Sequence, residues 1–547
     1  MKIFFLVFLL SNFAFLNGNR ELSDLPSMRY DDLAKQYNRN YFQHITGYLA
    51  PILEEVHDKV YSLPQKMSGY INKKHPYDQQ EAYVRFDTDN LSASEKMYLN
   101  QRKRSVQQGL QKYLSDDSLE EDQQPSIALC FSGGGFRAMM LSAGALVGAE
   151  STGLLDCTTY IASLSGSTWI TGQWIGAKRK LTDLRDTLYK KTNHGLSHLT
   201  KHEDRVTVLR HWFTKGLNRQ HLSSIDIYGP LLANTLLTDF GKEKLTVTLS
   251  DSHEHIIQGR YPMPLYTSIS TNIDKPYTWV TFTPFEVGAP EIGYIPTWAY
   301  GRTFKNGKSV NYAPEQSLGY CFGIFGSAFA VDIKDILRLS AESVLKIKSS
   351  LPAPVADTMS FVMNKSIIPA LGEVRLAPSM LPNFSYGEKQ SIFSSDKTLG
   401  VVDAGIDFNL PFPPLLDAAR KVDLIVVYDS SAGNVGGEIK KAAVYAKAKG
   451  IAFPPVPDDI GNHLFSVLKD PSNEKCPVVI YMPRIKNSDY EKNFDPEICI
   501  NNDYCSTFNF KYSKENIEQL SGLAKHALEQ FDEQIKNEIK LLYKRKK

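Results

Sequence analysis

Three glycines following an apolar run give this chain its most chemically suggestive segment, Ser132-Gly133-Gly134-Gly135-Phe136-Arg137. Glycines let backbone approach a ligand and aim its N–H groups, and the helical pattern that starts just after them adds the attraction of a helix N-terminus for negative charge. The anion is either a phosphate or a reaction oxyanion. Gly133-x-Gly135-x-x-Ala138 also satisfies the glycine spacing of a dinucleotide fingerprint, but no acidic residue follows a second strand at the required place, because Asp156 precedes its strand.

A second apolar run, Thr159-Tyr160-Ile161-Ala162-Ser163-Leu164, passes into Ser165-Gly166-Ser167-Thr168 and then a helical stretch. A nucleophile elbow needs small neighbours, since the reactive serine occupies a strained turn, and Ser163 and Ser167 stand where glycine is usual. Acyl chemistry requires a nucleophile together with donors for its oxyanion, so this turn and the glycine loop support each other. A third run ends in Val401-Val402-Asp403-Ala404-Gly405, where a carboxylate can take a serine proton or cap a turn, and Arg420 lies further on. A Ser-His-Asp triad is open as well, because His463 and His526 follow Ser165 and Asp403 in the chain order of α/β-hydrolases. His253-x-His255 has no third ligand motif beside it, so no metal site is expected.

The elements that must hold these residues read as α/β. Ser126 to Phe131, Leu265 to Ile269, Leu424 to Tyr428 and Val478 to Met482 are short apolar runs without polar alternation, as in strands buried on both faces of a largely parallel sheet. Ser92-Ala93-Ser94-Glu95 reads as a capping box opening a helix, and residues 513–547 as a surface helix. The 547 residues allow a large enzyme core, and a net charge of +2 disfavours a nucleic-acid partner. No apolar run reaches the roughly 18 residues that span a bilayer.

Met1-Lys2, an apolar stretch from Ile3 to Leu16 and the polar residues after it read as a signal peptide over 1–18, implying a secreted or lumenal enzyme. Sequons at Asn90, Asn364 and Asn383 fit a glycoprotein, and six cysteines fit that route, with Cys499 and Cys505 close enough to pair and Cys130 and Cys157 in apolar surroundings. Residues 19–94 then form a helical N-terminal region, and 95–547 a catalytic domain with an insertion at about 178–260.

The segments SGGGFRAM (Ser132 to Met139), LSGSTW (Leu164 to Trp169), VVDAGIDFNLPFP (Val401 to Pro413) with Arg420, and STFNF (Ser506 to Phe510) resemble the catalytic domain of the cytosolic, group IV phospholipases A2. That family is itself similar to the patatins and the fungal phospholipase B lysophospholipases. The resemblance implies a three-layer α/β/α patatin-like core with an inserted cap or lid. It implies a Ser165–Asp403 dyad, an oxyanion hole at Gly134 and Gly135, and Arg137 and Arg420 at the substrate. It further implies cleavage of phospholipid and lysophospholipid esters at a membrane or micelle surface, with no cofactor, metal or obligate protein partner. A silent lipid-binding protein of the same fold is the alternative. Two departures stand out: Ser163 replaces a glycine, and a signal-like start replaces the family's calcium-binding module, so independence from calcium is expected.

Overall fold

The segment Ser92 to Glu95 opens α1 (Ala93–Leu114), with the Ser92 side chain accepting from the Glu95 amide at 3.1 Å. The Glu95 carboxylate is used elsewhere: it accepts from Arg420 Nε at 2.9 Å, Arg420 Nη2 at 3.2 Å and the Tyr160 hydroxyl at 3.0 Å. The capping motif thus becomes half cap and half buried ion pair. A computed structural model of the chain describes residues 77–328 and 379–546, apart from positions 78, 88, 89, 273, 274 and 503 and scattered positions between 197 and 224. The segment expected as a signal peptide and the sequon at Asn364 lie outside the described residues. Within the expected helical N-terminal region, described residues ahead of α1 are extended instead: Tyr83 and Arg85 bridge to Lys308 and Tyr294.

After α1 come β1 (Ile127–Phe131), α2 (Gly135–Thr152), β2 (Tyr160–Leu164), α3 (Gly166–Ala177), α4 (Leu181–Thr192), α5 (Ile225–Leu236), α6 (His253–Ile257) and β3 (Met263–Ser270). Then follow β4 (Thr278–Phe282), β5 (Glu286–Ala289), β6 (Gly293–Pro296), β7 (Phe304–Lys305), β8 (Lys308–Ser309), α7 (Leu318–Phe325), β9 (Ser379–Pro382) and β10 (Thr398–Asp403). The chain continues through β11 (Leu424–Asp429), α8 (Gly437–Ala448), β12 (Ser466–Leu468), β13 (Val478–Pro483), α9 (Pro496–Asn501), α10 (Lys514–Gln530) and α11 (Asp532–Lys546). The expected insertion at about 178–260 contains α4, α5 and α6.

The expected α/β fold is present, built on a mixed sheet. Strands β13, β11, β1, β2 and β3 run parallel in that order, and every side chain of β1, β2 and β11 is buried. Both margins turn antiparallel, with β12 beyond β13 and β4, β5 and β6 beyond β3. Alternating strands and helices in sequence reveal the parallel centre; the margins are hairpins that carry no such signature. One edge of β3 is shared. Its first part pairs with β2, Leu164 standing opposite Thr267, and its last part pairs with β10, Asp403 standing opposite Ser268. Because β2 is parallel to β3 and β10 antiparallel, the two strands meet end to end.

Helices α3 and α7 lie against the strands that hold this junction, and α2 packs on α3, α4 and α10. The last contact corrects the reading of the C-terminal segment as a surface helix. A side chain at Gly144 would come within 1.8 Å of the Ser521 carbonyl, so α2 and α10 touch backbone to backbone, and Leu520, Leu523 and Ala524 are buried. Removing Glu95 should strand the Arg420 guanidinium in the interior. We expect Glu95→Ala to lose about 3–5 kcal/mol of unfolding free energy in denaturant titration, against about 1 kcal/mol for Ser92→Ala, which removes only the cap. Equal losses for the two variants would contradict this role of the ion pair.

Candidate active site

Between β2 and α3 the chain makes one tight turn, and Ser165 occupies it with φ 51° and ψ −122°. A non-glycine residue at positive φ is strained, and the flanking small residues make the turn tolerable. A Cβ at Gly166 would fall 1.9 Å from the Gly135 carbonyl, so the turn presses directly on the glycine loop. Ser163 is accommodated by bonding: its hydroxyl lies 2.9 Å from Thr171 Oγ1 on α3, while its carbonyl accepts from Thr267 Oγ1 at 3.0 Å. Ser167 likewise donates to the Ser132 carbonyl at 2.5 Å, tying the serine turn to the segment before the glycines. The positive end of α3 faces the Ser165 position.

The end-to-end junction delivers the partner. Ser165 Oγ donates to Asp403 Oδ2 at 2.9 Å, and both residues are buried. Asp403 Oδ1 accepts from the Gly405 amide at 2.9 Å, and the Asp403 amide donates to Ser327 Oγ at 2.9 Å. Burial pushes the Asp403 carboxyl up to about 7, against the hydrogen bonds from Gly405, Ser165 and Ala328 that favour its charged form. No cation is among those partners.

The glycine loop is held from below. The Gly133 amide donates to the Asn409 carbonyl at 3.2 Å, and Asn409 Nδ2 donates to the Gly133 carbonyl at 3.0 Å and to Ser431 Oγ at 2.7 Å. A Cβ at Gly133 would fall 2.8 Å from that of Ser165, so the loop lies on the serine turn and not around an open dinucleotide cradle. Gly134 has φ 138°, beyond the reach of ordinary side chains, and caps α2, whose first turn leaves its amides without partners inside the helix. Arg137, in that first turn, is fully buried. Its Nε donates to the Ser430 carbonyl at 3.1 Å, and its Nη1 to the Cys505 carbonyl at 3.0 Å and Thr507 Oγ1 at 3.1 Å. Nη2 has no hydrogen-bond partner among the described residues and points toward Gly134, where a Cβ would meet it at 2.3 Å. Burial lowers the guanidinium to about 10, which leaves it charged at neutral pH.

Arg420 is not part of this group. It pairs with Glu95 and lies 5.9 Å from the Tyr160 ring, at the start of β2, about 16 Å of chain away from Ser165 at ~3.3 Å per residue. Expecting it at the substrate is therefore corrected: a buried carboxylate at the other end of the sheet claims it. His463 is exposed and bonds Asp459 at 3.1 Å. His526 packs against Tyr490 on α10, next to Lys525 facing Gly148, about 20 Å along α2 from Gly135 at ~1.5 Å per residue. His253 stands edge-on to Phe285, and His255 bonds the Ile175 carbonyl at 2.8 Å. Asn409, Ser327 and Thr507 are the supporting residues that the sequence did not single out. Asn409 and Thr507 fall inside the quoted motifs, while Ser327 carries no local signal.

Cys499 and Cys505 are bonded, with Cα atoms 5.5 Å apart, and Cys130 and Cys157 are buried thiols. Asn383 is buried at 2% exposure and its Nδ2 donates to the Phe393 and Asp396 carbonyls at 2.8 and 2.7 Å, so it cannot carry a glycan.

Residues 127–508 match the family described as lysophospholipase catalytic domain. The chain is 29% identical over 460 residues to cytosolic phospholipase A2 zeta of Homo sapiens, covering 73% of this chain and 53% of that protein. It is 26% identical over 473 residues to the human epsilon enzyme, covering 73% and 52%. The chain spans about half the length of the curated relatives it matches. The solved structure of human GIVD cytosolic phospholipase A2 shares the fold, with TM-score 0.68 at 22% identity over 85% of this chain and 68% of that one. The expectation of a secreted or lumenal protein is overturned by these relatives, which are named as cytosolic enzymes. The match over residues 127–508 takes in the glycine loop, the Ser165 turn and Asp403, and the chain belongs to the lysophospholipase catalytic domain family.

Proposed function

We propose that the chain is a serine hydrolase cleaving the fatty-acyl esters of glycerophospholipids and lysophospholipids through an acyl-enzyme on Ser165. The observation that carries this reading is the 2.9 Å bond from a strained, buried serine to a buried carboxylate whose partners are all neutral. As Ser165 Oγ attacks the ester carbonyl, its proton passes to Asp403, and the new oxyanion faces the amides of Gly134 and Gly135. Asp403 returns the proton to the departing alcohol oxygen, and water then releases the fatty acid by the same route in reverse. Arg137, with one terminal nitrogen unused beside Gly134, is suited to steady the substrate phosphate. The relatives' printed names, phospholipases A2, support the substrate class.

Product analysis on diacyl and lyso phosphatidylcholine tests the reading, and it should yield free fatty acid from both. Ser165→Ala is expected to lose at least about 10⁴-fold in rate; unchanged turnover would end the proposal. Proton transfer requires no metal in this scheme, so excess chelator should leave hydrolysis of a monomeric substrate unaltered.

The Asp403 carboxyl must be ionised to act as a base. With its group held at about 7, kcat/KM should climb with pH to a plateau, its midpoint near neutrality. Stability runs the other way. Between the unfolded value, about 3.9, and the folded value the native state holds the extra proton, so this residue's contribution falls as pH rises through that window. Asp403→Asn should therefore be inactive yet melt no lower than the parent at pH 8. An active Asp403→Asn enzyme would rule out the dyad.

Replacing both His463 and His526 by Ala separates dyad from triad. We expect the double variant to keep its rate within about twofold, whereas loss of a triad histidine costs several orders of magnitude.

A further inference from the structure

The segment that clamps Arg137 also carries three exposed apolar side chains. Ile498 is 56% exposed, Tyr504 37% and Phe508 50%. Ile498 and Tyr504 each neighbour a half-cystine of the Cys499–Cys505 bond, and the Cys505 amide donates to the Cys499 carbonyl at 3.2 Å. Asn509, beside Phe508, donates through Nδ2 to the Tyr504 carbonyl at 2.6 Å. Tyr504 thus lies within the loop that the Cys499–Cys505 bond closes, and Ile498 and Phe508 flank it on either side. The loop is fixed to the core, because Phe510 stands edge-on to Phe136 at 5.3 Å and both half-cystines are buried. Cys505 and Thr507 reach Arg137 directly, and Arg137 reaches Gly134, so this segment lies on the flank of the candidate active site.

We propose that this disulfide-tied segment is the surface by which the protein seats itself on a lipid aggregate, with Ile498, Tyr504 and Phe508 entering the headgroup and acyl boundary. The inference rests on the hydrolase reading for its partner, a phospholipid surface. Rigidly held apolar residues beside a site that must draw a two-tailed molecule out of an aggregate gain from burial in that aggregate, and tyrosine suits the zone where one end is apolar and the other wet. From Ile498 to Lys511 the sequence contains one acid, Asp503, and one base, Lys511, and the charges that act on Tyr504 from outside that stretch are the carboxylates of Glu515, Asp495 and Glu491, so the attraction is apolar and calls for no anionic lipid.

Co-sedimentation with phosphatidylcholine vesicles tests it, using full-length Ser165→Ala so that the lipid survives. Adding Ile498→Ser, Tyr504→Ser and Phe508→Ser should lower vesicle partition about a hundredfold, roughly fivefold for each half-exposed side chain. The double change Ile498→Ser with Tyr504→Ser should lower it about 25-fold on the same scale, which guards against disturbance of the Phe508 segment. Restored to Ser165, the triple variant should hydrolyse a short-chain phosphatidylcholine below its micelle concentration at the parent rate while losing activity on vesicles. Undiminished partition of both variants would overturn the proposal, as would an equal loss on Val444→Ser, an exposed apolar site on α8. If the parent fails to cleave the monomeric substrate, the hydrolase reading falls while the vesicle comparison still reports on docking.

Discussion

Two strands running head-on along one edge of a third decide everything else at the site. Strand β3 pairs first with β2 and then with β10, and the registers Leu164 to Thr267 and Asp403 to Ser268 bring the ends of those strands to adjacent positions. The chain leaving β2 must turn at once, which produces the strained Ser165 conformation. The chain arriving through β10 ends on the carboxylate that the serine faces. Side chains alternate between faces with a period of two, so a slip of one residue in the β10 ladder would send Asp403 to the wrong side, and a slip in the β2 ladder would displace Ser165 from it. The hydrogen-bond ladder of β3 is therefore part of the geometry of the candidate site.

Two buried carboxylates at the ends of β2 show how environment divides labour. Glu95 faces the Arg420 guanidinium and the Tyr160 hydroxyl, and joins α1 to the start of the sheet. Among the described residues Asp403 receives neutral donors, from Gly405, Ser165 and Ala328, and burial raises it toward neutrality. A carboxylate matched by a cation is a structural fixture; one left with neutral donors is suited to act as a base near neutral pH. Glu95 holds Arg420 at the far end, and among the described residues no guanidinium bonds the Asp403 carboxylate.

The residues of the site were legible because each advertises its local chemistry. A triple glycine before a helix, a serine among small neighbours and an aspartate closing an apolar run all need particular residue types at fixed short spacing. The buried strands of the parallel centre were legible for a similar reason. What escaped depends on distant partners. Nothing near Arg420 in the sequence says that Glu95, far upstream, will claim it. Nothing near Asn383 reveals that its amide is used by the Phe393 and Asp396 carbonyls. The reading of α10 as a surface helix failed because its polar residues conceal a face pressed on Gly144 and Gly148 of α2. The antiparallel margins and the shared edge of β3 are likewise long-range pairings. An apolar start followed by polar residues pointed to the secretory route, and only comparison with relatives corrected it.

The central claim is that Asp403 and the glycine-loop amides activate one serine out of all those in the chain. Reaction of the full-length protein with a fluorophosphonate, followed by intact-mass and peptide mass spectrometry, tests it most directly. The account predicts a single adduct on the peptide containing Ser165, absent from the Asp403→Asn protein. Labelling at another residue, or labelling of Ser165 that proceeds undiminished without the Asp403 carboxylate, would contradict it.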